Sequence, residues 1–129
     1  MADYTPIFTG GVIPFTSQTS GVVVGGTPVA ISGAGTVATA AADSTVCVGI
    51  AAHDAASGAK LTVIPMDGAT HEVAVVAAGT VTAGDGVAVG ALGTVKTVVI
   101  ATAAAAGTLI GIAETTATAP ALVRFIGRA

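Results

Sequence analysis

Gly26-Thr27-Pro28-Val29-Ala30-Ile31-Ser32-Gly33-Ala34-Gly35-Thr36-Val37-Ala38-Thr39 returns 58 positions later as Gly84-Asp85-Gly86-Val87-Ala88-Val89-Gly90-Ala91-Leu92-Gly93-Thr94-Val95-Lys96-Thr97. Seven of the fourteen positions are identical. A second match follows at an offset of 62, where Val48-Gly49-Ile50-Ala51 pairs with Ile110-Gly111-Ile112-Ala113. Both copies consist of short β-branched runs broken by glycine, the pattern of strands and turns. None of the seven shared positions carries a titratable side chain. What is duplicated is therefore a folding unit, and that points away from catalysis and toward a structural role.

Working outward from the repeat, the first half runs from Val22 to Val76. Strands are expected at 22–24, 28–32, 36–39, 45–52, 60–65 and 71–76, with turns at Gly25-Gly26, Gly33-Ala34-Gly35, Ser57-Gly58 and Asp67-Gly68. The second half runs from Val81 to Ile126, with strands expected at 87–89, 94–100, 108–113 and 121–126. The predicted fold class is all-β: a small β-barrel, β-tulip-like or sandwich domain built from two pseudo-repeated halves. Ala101 to Ala106 favours helix by composition, but six residues alone cannot sustain one. A chain of 129 residues fits one such domain, spanning 21–129.

Residues 1–20 have no counterpart in the repeat and read as an extended N-terminal arm. Three of the chain's four aromatics lie there, Tyr4, Phe8 and Phe15. Pro6 and Pro14 each remove an amide donor, which suits an edge or an extended segment better than a central strand. An apolar extended segment of this kind can add a strand to a neighbour's exposed sheet edge. The candidate contact residues are Tyr4, Pro6, Ile7, Phe8, Val12, Ile13 and Phe15. The alternative is an ordinary first strand folded onto its own barrel.

Charge narrows the function further. Only 9% of residues are charged, against roughly 25% in ordinary soluble domains, and no charge occurs from Tyr4 to Ala42. Such a surface is wetted by Ser, Thr and backbone, or is buried against other chains. The net charge of −3 and four basic residues leave no phosphate-binding stripe, and Trp is absent. Nucleic acid is therefore not an expected partner. Mean hydropathy is +0.91, yet the longest uncharged candidate span, Thr97 to Ala113, has 17 residues and contains Gly107 and Gly111. That is the lower edge for a membrane helix, and no membrane partner is expected. No secretion signal is read at the N-terminus.

Candidate chemistry is sparse. Gly33-Ala34-Gly35-Thr36-Val37-Ala38 matches G-x-G-x-x-A, but a dinucleotide site needs a helix after the glycines, and Thr36-Val37-Ala38-Thr39 is β-like. A hairpin turn is the expected reading. His53-Asp54 and His71-Glu72 could supply metal ligands in principle. Adjacent strand residues point to opposite faces, however, so neither pair converges, and surface histidines are expected. The position matching His53 in the second half is Thr115. Cys47 sits in an apolar run and reads as a small buried hydrophobe. No catalytic, cofactor-binding or metal residues are assigned, and no enzyme activity is expected.

Two sets of motifs resemble phage capsid proteins. Thr27-Pro28-Val29-Ala30-Ile31, Val48-Gly49-Ile50-Ala51-Ala52-His53-Asp54-Ala55 and Lys60-Leu61-Thr62-Val63-Ile64 are similar to the head-decoration protein of lambdoid phages. Val81-Thr82-Ala83-Gly84-Asp85-Gly86-Val87, Gly107-Thr108-Leu109-Ile110-Gly111-Ile112-Ala113 and the final Leu122-Val123-Arg124-Phe125 resemble tandem-repeat capsid cement proteins. The resemblance implies a β-rich protein that forms a homotrimer on the outer face of an expanded head. It implies that neighbouring major capsid proteins are clamped, with the N-terminal arm reaching the shell. The implied location is the virion surface, after synthesis in the bacterial host cytoplasm. Another virion component, such as a head-fibre base, tail or minor capsid protein, is the alternative.

Overall fold

The computed structural model describes residues 13–128. Strands β1 (Phe15–Thr19), β2 (Pro28–Gly33), β3 (Thr36–Thr39), β4 (Cys47–Ala51) and β5 (Lys60–Pro65) form a closed barrel in the order β1-β3-β2-β4-β5. β1 closes it, antiparallel to β5 and parallel to β3. The expectation that the arm extends to residue 20 is thereby corrected, because Phe15–Thr19 is a barrel strand. The expected strands at 36–39 and 60–65 have the observed bounds. The 22–24 segment contributes only a bridge from Val23 to Ala55.

The second half contains β6 (Thr70–Ala74), β7 (Thr80–Val81), β8 (Gly86–Val89), β9 (Val95–Val98), α1 (Ile100–Ala106), β10 (Leu109–Ala113), β11 (Ala117–Thr118) and β12 (Leu122–Gly127). Five of these make a sheet in the order β6-β12-β10-β8-β9. A single parallel bridge, Val75 to Val95, brings β9 back to the end of β6. With β6, β8, β9, β10 and β12 matched to β1, β2, β3, β4 and β5, the cyclic strand order is that of the first barrel. The repeat extends to individual hydrogen bonds. Gly26 N–H donates to the Ala51 carbonyl at 2.8 Å, and Gly84 N–H to that of Ala113 at 2.8 Å. Ser20 N–H reaches Val37 O at 3.0 Å, and Val76 N–H reaches Val95 O at 2.9 Å.

Two glycines explain part of what the sequence repeats. A Cβ at Gly49 would lie 2.2 Å from the Ile64 carbonyl oxygen, and one at Gly111 would lie 2.5 Å from that of Ile126. In each half the strand pair β4–β5 or β10–β12 approaches too closely for a side chain, so glycine recurs at both positions.

The two halves share a core. Val23, Val29, Val37, Ala51, Ala55, Leu61 and Val63 fill the first barrel. A larger cluster around Phe125 holds Val73, Val75, Val87, Val89, Val95, Ile110 and Val123 together with Ile50, Ile64 and Met66 from the first half. Period-2 alternation produces this division. Leu61 and Val63 of β5 point into their own barrel, while Ile64 and Met66 enter the shared cluster. Burying each such aliphatic side chain contributes roughly 1.5–3 kcal/mol.

The helix α1 is longer than its propensity alone supports. Ala103 is buried, and the helix packs on β8 and β10. Gly107, at a left-handed φ of 78°, ends it: its N–H bonds to Ala104 O at 3.3 Å, and Thr108 N–H to Ala103 O at 2.9 Å. This is the Schellman arrangement, so tertiary packing and a terminal cap supply what six residues lack.

Replacing Gly111 by alanine is expected to cost about 2 kcal/mol, the range of overpacking, in urea unfolding. Gly21→Ala, where a Cβ meets open space, is expected to stay within about 0.5 kcal/mol of the parent.

Candidate functional site

The glycine-rich turns and two of the aspartates hold structural roles. Ala34-Gly35 is the β2–β3 hairpin turn after Gly33 at the end of β2, with Gly35 at φ 74°, and strand β3 follows where a dinucleotide site would need a helix. Asp54 accepts the Gly25 N–H at 2.8 Å. Asp85 accepts from Thr82 N–H and from the Thr97 hydroxyl, both at 2.9 Å, and so pins the Val81–Gly86 turn.

His53 is half-buried rather than a free surface group. Its Nδ1–H donates to the Asp54 carbonyl at 2.8 Å, and its Nε2 accepts the Thr62 N–H at 3.2 Å. The two partners together select Nδ1 as the donor and Nε2 as the acceptor. Thr115 does the same work in the second half, where its hydroxyl oxygen accepts the Arg124 N–H at 3.0 Å. The alignment of His53 with Thr115 was the sequence signal for this shared role.

His71 is fully buried, contrary to the expectation of a surface histidine. Its ring lies 5.8 Å from that of Phe125, its partner across β6 and β12, and its Nε2–H donates to the Pro65 carbonyl at 3.1 Å. Burial lowers its pKa below the ordinary value, opposed by the carbonyls of Pro65 and Met66.

Cys47 borders a groove of about 280 Å³ between the halves, lined also by Val48, Met66, Leu109, Ile110 and Arg128. Burial pushes its thiol up to about 11, opposed by a contact to the Gly49 carbonyl. The thiolate needed for nucleophilic or metal chemistry is therefore scarce at neutral pH. Among the described residues, no group of three His, Cys, Asp or Glu side chains is placed to hold a metal ion. No helix there is long and apolar enough to cross a membrane.

What remains is surface. Of the expected contact residues, Tyr4, Pro6, Ile7, Phe8 and Val12 lie outside the described residues. Ile13 is 83% exposed, and Phe15, on β1, is 37% exposed. The halves also differ where their architecture is the same. Val23 and Ala55 bridge as Val81 and Ala117 do. Around that bridge the first half exposes Val22, Val24 and Ala56, whereas the second exposes Thr80, Thr82 and Thr118. Charge is divided in the same sense. Residues 13–66 hold three charged side chains (Asp43, Asp54 and Lys60), and residues 67–128 hold seven.

No family model and no curated protein matches the chain. Among solved structures, it is similar to the head fiber gp8.5 N base of bacteriophage phi29, with a TM-score of 0.68 and 18% sequence identity. The match covers 90% of this chain and 93% of that one. At this identity, what the two share is the fold, over nearly the whole of both chains.

The histidine assignments are testable. His53→Thr is expected to fold with near-parental stability, since Thr115 already fills the equivalent place. His53→Ala should lose about 1 kcal/mol, the worth of a hydrogen bond to a part-buried amide. For His71, the unfolded chain binds a proton below about pH 6.5, while the folded chain resists it. Stability is then complete above that pH and declines as pH falls toward the lowered folded value. Denaturation midpoints measured from pH 7.5 to 4.5 should show this decline, and His71→Gln should flatten it.

Proposed function

We propose that this chain is a structural protein of a phage virion, seated on the outer surface of the head through the major capsid protein. The observation that carries this reading is the end-to-end likeness to a head-fibre base, spanning 90% of one chain and 93% of the other. Low charge, a repeat without reactive groups and histidines engaged in packing support a structural rather than catalytic role. The base reading describes a module that holds its place on a shell. Its affinity comes from buried apolar surface and main-chain pairing, with little need for charge steering.

Cementing is the second reading. It is favoured by the resemblance of Val81–Val87 and Gly107–Ala113 to cement-protein motifs. In that reading the protein bridges neighbouring capsid subunits and raises the cost of separating them. Several weak contacts per assembly would then combine, and avidity grows by ~10²–10⁴ when they act together.

Purified protein mixed with expanded, undecorated heads, assembled from the capsid protein of the same genome, should co-sediment and saturate at a fixed number of copies per subunit. No binding would overturn the proposal. A rise in the temperature of genome release on saturation would favour cementing, and binding without such a rise would favour the base reading. Removing residues 2–12 leaves β1 whole. That truncation should keep its circular dichroism and lose head binding if the arm is the anchor. A deletion reaching through Phe15 would instead cut into the barrel.

A further inference from the structure

The halves are joined by a cross-strand pair that occurs twice, once covered and once open. In the first half, Ile50 on β4 pairs with Ile64 on β5. Their exposures are 0% and 6%, and both lie in the shared core cluster. In the second half, the matching residues Ile112 and Ile126 pair across β10 and β12 in the same way. Helix α1 packs on β8 and β10 beside that pair, with Ile100 against Gly86. Ile126 nevertheless stays 49% exposed, and Leu122, on the same face of β12, stays 47% exposed.

The complementary site is also duplicated. Within the chain, the end of β5 packs against the start of β6, where His71 bonds to the Pro65 carbonyl. The residue matching His71 in the first barrel is Phe15, which faces Val63 on β5 as His71 faces Phe125 on β12. Here the covered member is the second-half one: His71 is fully buried, while Phe15 is 37% exposed beside Ile13 at 83%. One chain therefore displays an uncovered copy of each side of its own internal joint. The two are an Ile112–Ile126 face on the second half and an Ile13–Phe15 face on the first.

We infer that the occupant of the Ile112–Ile126 face is a second copy of this chain, docked head to tail through its Ile13–Phe15 face, so that the contact between copies continues the joint between halves. Such a contact is heterologous: it uses two different patches, and repeated copies close into a ring when the rotation allows. The inference goes beyond the head-surface reading and stands or falls separately from it, since it needs no shell.

Sedimentation velocity of the purified full chain, from about 1 to 100 µM, tests it. The wild type should associate over this range, about that of transient contacts. Ile126→Lys and Ile13→Lys change exposed side chains, so both should keep the parental circular dichroism and sediment as monomers. Mixed together, each variant retains one intact patch, and the mixture should form a heterodimer that neither variant forms alone. A wild type that stays monomeric at 100 µM would overturn the inference. So would an Ile126→Lys chain that associates like the parent. Loss of association in Ile126→Lys but not in Ile13→Lys, or a mixture that stays monomeric, would mean that the contact is not head to tail.

Discussion

Strand β5 has to serve two cores at once, and the rest of the molecule is arranged around that demand. A strand offers alternate faces. Leu61 and Val63 fill the first barrel, while Ile64 and the following Met66 enter the cluster around Phe125. Neither barrel is large enough to hide much apolar surface alone, and small cores are marginal for that reason. Sharing one strand between them makes a single cooperative body out of two repeats. The close β4–β5 approach at Gly49 matters here, because a side chain there would push β5 off the surface it must cover.

The sequence made the duplicated architecture legible because the repeat is densest where geometry is strictest. Gly26 and Gly84 donate the same hydrogen bond, and Gly49 and Gly111 sit at the same close approach. The first strand was harder to see. Its inward positions are Phe15, Ser17 and Thr19, where the matching strand has His71, Val73 and Val75, so neither identity nor hydrophobic alternation marks it. Pro14 and the apolar residues before it drew the reading toward an arm. Strands β7 and β11 have two residues each, too few for any periodic signal.

The site was legible mainly by what was missing. Glycine-rich turns, histidines and a lone cysteine each admit a chemical reading in one dimension. In three dimensions the glycines form turns, His53 is tied to a backbone amide, His71 is packed inside, and Cys47 borders a groove. Thr115 was the informative residue, since a threonine in the place of His53 can accept a hydrogen bond but cannot take up a proton or bind a soft metal. Burial is the property the sequence concealed: nothing near His71 distinguishes a surface strand from one covered by the opposite half.

The contrast between Val22, Val24 and Ala56 in one half and Thr80, Thr82 and Thr118 in the other has a further consequence. Valine and threonine are nearly the same shape, so the two barrels keep one backbone plan while differing in how readily water wets them. Three charges lie on one side and seven on the other, yet exposed apolar side chains such as Leu92, Val99 and Ile126 occur on the second half too, so the contrast belongs to these two tips and not to whole barrels. At any boundary between a drier and a wetter medium, the tip carrying Val22 and Val24 gives up less hydration than the tip carrying Thr80 and Thr82, so the two ends of one backbone plan are not interchangeable.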